Sequence, residues 1–192
     1  WPSISWASID YYGNKKAFHY KLSEMYAPIL LGMDEKENGK YNIWVSNDLQ
    51  RDIKGRIRVL VEDMKGNQMF AFSEVVDIKA NSCFRLNENV RINVSKKKRT
   101  ECYARIILME EDTVLSERLH FFAYPKDLKL VKTELEPKVT FADGKYTLEF
   151  NSKVFVKDVF VSTTEAGEFS RNFFDVLPNV TKTIIFEPED KK

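Results

Sequence analysis

The sequence predicts a mainly β chain: two antiparallel β-sandwiches in series behind one short helix. Three observations carry this. Apolar residues alternate with polar ones, at a period of two, in short segment after short segment from Ile29 to Phe186. Helical spacing shows in one place only, near the start. A Pro125-Lys126-Asp127 break then divides the strands into a longer and a shorter set.

The helix is predicted from Lys15, because Phe18, Leu22, Met25 and Tyr26 share one face at i, i+4, i+7 and i+8. Asn14 is the expected N-cap and Pro28 the stop. Beyond it, Ile29–Met33 is a short apolar run closed by the charged turn Asp34–Lys40. Tyr41, Ile43 and Val45 then alternate with Asn42, Trp44 and Ser46, the pattern of a strand with one buried face. Ile57, Val59 and Val61 repeat it, and Lys65-Gly66-Asn67 turns the chain into the long segment Gln68–Ile78. Cys83–Leu86, Val90–Val94, Cys102–Leu108 and Val114–Tyr124 complete about seven strands in roughly 100 residues, an immunoglobulin-type sandwich. After the break, strands are expected around Val139–Phe141, Tyr146–Phe150, Val154–Phe160 and Lys182–Phe186, with an apolar cluster at Phe173–Leu177 and a loop at Thr163–Ser170. The expected domains are therefore residues 1–27, 28–125 and 126–192. The last is small for a core of its own and is expected to lean on a neighbour.

Composition narrows the function. At 43% hydrophobic and 31% charged residues the chain has ordinary globular content, and a formal net charge of +1 argues against a polyanionic partner. The basic run Lys96–Arg99 reads as a solvated hairpin loop. No apolar run approaches the ~20 residues of a membrane helix. Cys83 and Cys102 each fall in an apolar strand pattern and read as two buried free thiols ahead of the alternative, a bridge between them. His19 and His120 are too far apart in sequence and context to read as a catalytic or metal pair. Asn93-Val94-Ser95 and Asn179-Val180-Thr181 fit the N-glycosylation sequon. Trp44, on the polar phase of its strand with Tyr41 nearby, marks either a carbohydrate-binding face or a surface that packs on another domain. One loop and one helix followed only by strands is what remains when a larger α/β domain is cut before its last helix, so a C-terminal fragment of a longer protein is expected.

The opening stretch Trp1–Tyr20, WPSISWASIDYYGNKKAFHY, resembles the segment that closes the catalytic barrel in β-mannosidases of glycoside hydrolase family 2. Ser116–Leu130 (SERLHFFAYPKDLKL) and Ser170–Pro178 (SRNFFDVLP) are similar to later stretches of the same group, in the same order. Ala7, Asn14, Lys15 and Arg118 depart from the residues usual there. The resemblance implies that residues 1–27 are left from the end of a (β/α)8 barrel and that the parent is a retaining exo-acting enzyme releasing terminal β-linked mannose. Glycoside hydrolysis of that kind uses two carboxyl groups about 5 Å apart. None of the 29 acidic residues stands in such a context, and in the resembled family both catalytic glutamates lie upstream of Trp1. No catalytic residue, metal ligand or cofactor site is therefore expected in this chain.

By the same resemblance Trp1, and less so Trp6, are the candidate sugar contacts of the parent, where an indole can stack on a pyranose face. Asp10 is expected to order its loop by accepting backbone N–H bonds. The implied partners are the catalytic barrel of the same parent chain, the parent's β-mannoside or oligosaccharide substrate, and further copies of the chain, with neither nucleic acid nor membrane. The implied compartment of the parent is periplasmic, secreted or lysosomal. An exo-β-glucosaminidase parent, or sandwiches that bind glycans themselves, are the competing readings.

Overall fold

The computed structural model describes residues 7–86 and 90–189. Packing divides the chain into two units, residues 26–129 and a discontinuous unit that joins residues up to Met25 to Leu130–Lys192.

The first unit holds eight strands in two four-stranded antiparallel sheets. One sheet runs β1 (Ile29–Glu35), β2 (Lys40–Asn47), β5 (Ser82–Arg85), with β6 (Val90–Arg91) also paired to β2. The other is ordered β4 (Gln68–Ile78), β3 (Ile53–Asp63), β7 (Cys102–Glu110), β8 (Thr113–Phe121). Alternation along β2 sends Tyr41, Ile43, Val45 and Asn47 inward. They meet Ile57, Val59 and Val61 of β3 and Ala104, Ile106 and Leu108 of β7 in one core. Asn47 is the polar member of this interior. Its amide donates to the carbonyls of Arg51 and Lys79 and its Oδ1 accepts from Leu49 N, so it is satisfied while fixing the turn into β3. Ser116 Oγ donates to the Ile29 carbonyl at 3.1 Å, tying β8 to β1 at the sandwich edge.

The second unit has a four-stranded sheet, β12 (Gly167–Phe169), β14 (Lys182–Pro188), β10 (Lys145–Phe150), β9 (Lys138–Ala142), and a two-stranded one, β11 (Val156–Val159) with β13 (Phe174–Val176). Leu148, Phe150, Phe174, Val176, Ile184 and Phe186 form its core. To this unit belongs α1 (Ala17–Met25), none of whose residues is buried.

The mainly β, immunoglobulin-like expectation is borne out; several local expectations are not. The helix starts at Ala17, so Lys16 rather than Asn14 stands at the N-cap position, and the Asn14 side-chain amide donates to Asp10 at 3.0 Å. Cys102 is buried and free, but Cys83 is exposed, because β5 is a short edge strand and turns its thiol outward. Lys96–Lys98 form a single 3₁₀ turn rather than an open hairpin loop, and Arg99 folds back into the protein. Part of the Thr163–Ser170 loop is the strand β12. The Pro125-Lys126-Asp127 break puts the expected boundary after Pro125, whereas packing keeps the chain in the first unit through Lys129. The Lys129 amide donates to Thr100 O at 2.8 Å, and its ammonium pairs with Glu101 at 2.7 Å.

Candidate functional site

Trp1 and Trp6 lie outside the described residues. Shortly after them the chain forms a tight hairpin, Ser8–Lys16, closed by an Ile9–Lys15 bridge and by the Lys16 amide on Ser8 O at 3.0 Å. Asp10 organises it as expected. Its Oδ1 accepts the Tyr12 and Asn14 amides at 2.9 and 2.8 Å, and Oδ2 accepts the Asn14 side chain. The Asn14 hydrogen bond holds the Asp10 carboxyl below its usual range. Gly13 takes φ +87°, which costs glycine little and other residues more. The result is a rigid mount for two aromatic rings, Tyr11 and Tyr12, 95% and 84% exposed and set edge to face at 5.3 Å.

In the first unit the resembled stretch Ser116–Leu130 borders a cleft of about 670 Å³ lined by Arg99, Phe121, Tyr124 and Asp127 among others. Arg99 is a strut of this region. Its guanidinium grips both carboxylate oxygens of Glu35, and its Nε donates to Phe122 O at 3.0 Å. That pairing holds the Glu35 carboxyl below its usual range. Behind it, His120 packs edge to face on Tyr41 and Phe122, at 5.9 and 5.3 Å. Burial lowers the His120 pKa and pushes the Tyr41 phenol up to about 12, so both are held neutral at pH 7. Among the described residues Asp127 is the one carboxylate lining the cleft, so no acid–nucleophile pair is formed there.

The carbohydrate-binding face that was one of the two readings of Trp44 and Tyr41 does not form. Tyr41 points into the core and is 1% exposed, while Trp44 lies on the opposite side of β2. The indole covers Gly32, its register partner on β1, and its Nε1–H donates to Asp34 Oδ2 at 3.1 Å. A half-buried indole laid along a strand with its N–H occupied is a packing element and offers no open stacking face.

Among the described residues Asp175 is the one carboxylate that burial raises above its usual range. It accepts the Asp158 amide at 2.9 Å and lies 3.7 Å from Lys157 Nζ, which itself pairs with Asp158 at 2.9 Å. Those partners make it part of a structural ion cluster. Nothing in its sequence neighbourhood signals this, because the surroundings come from the pairing of β13 with β11, some 17 residues away. Among the described residues no three His, Cys, Asp or Glu side chains gather as for a metal ion, and no helix is long and apolar enough to cross a membrane.

Two family models match the chain: a Mannosidase Ig/CBM-like domain over residues 39–127 and an Ig-fold domain over residues 130–192. It is 25% identical to a β-mannosidase A of Aspergillus oryzae and 22% to one of Aspergillus fumigatus, each over 99% of this chain but 22% of the relative. In fold it matches the crystal structure of a β-D-mannosidase from Dictyoglomus thermophilum. That match has a TM-score of 0.79 at 24% identity and covers 97% of this chain and 23% of that one. It also matches an exo-β-D-glucosaminidase, with a TM-score of 0.61 at 14% identity over 97% of this chain and 26% of that one. The fold and its place in these relatives define a pair of immunoglobulin-like domains of a kind carried within much longer glycosidase chains. Residues 39–127 and 130–192 are thus a Mannosidase Ig/CBM-like domain and an Ig-fold domain, and over nearly its whole length the chain is similar to β-mannosidases of glycoside hydrolase family 2.

Proposed function

We propose that this chain is the non-catalytic C-terminal portion of a retaining exo-β-mannosidase, whose full-length form hydrolyses terminal non-reducing β-mannosides. The observation that carries the reading is the end-to-end match: 97–99% of the chain aligns, in sequence and in fold, with proteins named as β-mannosidases. In this reading residues 1–27 close the catalytic barrel, residues 28–125 and 126–192 are its two accessory sandwiches, and Trp1 and Trp6 line the rim of the sugar pocket. The exposed apolar residues of α1 and its end, Phe18, Met25 and Tyr26, are then the surface that meets the barrel. Burying such a face is the normal source of stability for a helix this short.

Hydrolysis of a chromogenic β-mannoside by the 192-residue chain and by its longer parent tests the reading. An inactive chain with an active parent is the expected result; hydrolysis by the chain alone overturns it. A parent silent on the mannoside but active on a β-glucosaminide transfers the same role to an exo-β-glucosaminidase, the reading that the second fold match supports.

A further inference from the structure

Two of the stretches that carry the family resemblance, the N-terminal one and Ser170–Pro178, lie at opposite ends of the chain, yet they meet. Lys15 Nζ reaches Glu168 Oε2 at 2.6 Å, and Arg171 reaches Glu24 Oε1 at 3.0 Å, contacts that span 153 and 147 residues. Between them the Tyr20 ring packs on Phe173, centroids 6.2 Å apart, and Phe173 stacks in turn on Phe160 at 5.0 Å.

The segment Ser170–Asp175 is built to present these groups. Ser170 is fastened to β14 in both directions, its amide on Ile185 O at 2.7 Å and its Oγ accepting Ile185 N at 2.9 Å. Asn172, 5% exposed, binds Val161 N and O and accepts the Phe173 amide, so all its hydrogen-bonding serves to fix the bend. Phe173 sits at φ +53°, and Asp158, across the irregular β11–β13 ladder, also sits at φ +53°. A bulky aromatic in the left-handed region is strained, and strain of this kind persists where the surroundings impose it and clusters at functional sites. Here it turns the Phe173 ring onto α1.

We propose that Glu168, Arg171 and Phe173 form a clasp that holds the Ser8–Met25 hairpin and helix, and that they act in the parent as positioning residues for the exposed Tyr11–Tyr12 pair which that hairpin carries. The catalytic half of this proposal rests on the β-mannosidase reading above; the structural half does not. In this arrangement six of the nine residues of the Ser170–Pro178 stretch have a task. Ser170 and Asn172 fix the bend, Arg171 and Phe173 grip the helix, and Phe174 and Val176 fill the core.

Hydrogen exchange on the 192-residue chain tests the structural half. Partly exposed ion pairs of this kind shift an opening equilibrium by about threefold each. A Glu168→Ala/Arg171→Ala double variant is therefore expected to speed exchange of the Asn14 and Lys16 amides about tenfold, with β3 and β7 amides unchanged. The charge exchange Lys15→Glu with Glu168→Lys is expected to restore part of the protection lost in either single variant. Unchanged hairpin exchange in the double variant overturns the clasp. If that variant loses its fold, Phe173→Ala in the same assay decides the point.

In the full-length parent the double variant is expected to lower kcat/KM for the β-mannoside about tenfold, mainly through KM, at unchanged melting temperature. A loosened hairpin with unchanged kinetics overturns the positioning role. A wild-type parent without β-mannosidase activity counts against the proposed function alone, since the exchange result still stands.

Discussion

Replacing Gly32 with alanine puts a methyl group where the Trp44 indole lies. A Cβ built on Gly32 falls onto Trp44 Cε2 and Cζ2, well inside any real contact, and comes within 2.5 Å of Nε1. The β1 backbone at this point is paired residue by residue to β2, so it cannot retreat, and the indole has to swing away. Swinging away exposes roughly 100 Å² of indole and strand, worth about 2.5 kcal/mol at ~25 cal/mol per Å² as an upper figure. It also gives up the Asp34 hydrogen bond, which at a partly exposed site is worth less than ~1 kcal/mol. Alanine returns about 0.5–1 kcal/mol over glycine in a strand. The expected net loss is about 1–2 kcal/mol, or a fall in Tm of roughly 5–10 °C for a unit of this size. Thermal melts by circular dichroism measure it. Emission in a Trp1→Phe/Trp6→Phe background reports Trp44 alone and is expected to shift to the red. The same substitution in a Trp44→Ala background changes sign and becomes neutral or mildly stabilising, because only the alanine propensity remains. A Gly32→Ala chain that melts within about 1 °C of the wild type, a shift far below that expected for the lost packing, and with unshifted emission would refute the packing argument.

Acid sensitivity is expected in the first unit. Because burial depresses the His120 pKa in the folded protein, the unfolded chain binds the proton more readily. His120's contribution is therefore intact above its unfolded pKa of about 6.5 and is lost as pH falls below it toward the folded value. Melts at pH 8 and pH 5 should differ more for the wild type than for His120→Gln, and equal differences would remove His120 as the cause. Thiol titration should find one fast group per chain: Cys83 is exposed, whereas the Cys102 thiol is buried, donates to Lys98 O at 3.2 Å and is pushed up to about 11. Two thiols reacting at the same fast rate in native protein would contradict the buried site. Residues 26–129 alone should melt cooperatively, whereas residues 130–192 alone, deprived of α1 and its hairpin, should not. A sharp transition in the isolated C-terminal piece would show that it needs no such support.

How much of the fold and the site was legible in the sequence depends on which interactions are local. Alternation located β2, β3 and β7 because each has one face in a continuous core, so Tyr41, Ile43 and Val45 announced their direction. Asp10 was legible because an Asp-x-x-Gly-Asn turn satisfies itself within five residues. Cys83 misled because an edge strand carries the same alternation with no second layer over one face. Trp44 and Tyr41 are near in sequence, but an odd separation in a strand sends them to opposite faces. Arg99, read within a basic run, is fixed by Glu35, 64 residues away, and no periodicity encodes such a pair. The clasp was illegible as a contact for the same reason. Its two halves were legible separately, as stretches similar to those of the β-mannosidase group.

The discontinuity of the second unit sets an order of events during synthesis. Between α1 and the strands that hold it, about 100 residues are inserted, and these form a complete sandwich of their own. At ~5–20 residues per second, α1 and its hairpin are synthesised roughly 7–30 s before Glu168 and Arg171. A nine-residue helix with no buried residue is marginal by itself, so its contacts within the second unit form only after the inner sandwich has been synthesised. Strands β12 to β14 then complete the second unit: a nascent chain stopped before them can fold the inner sandwich but leaves the Ser8–Met25 segment open to proteolysis.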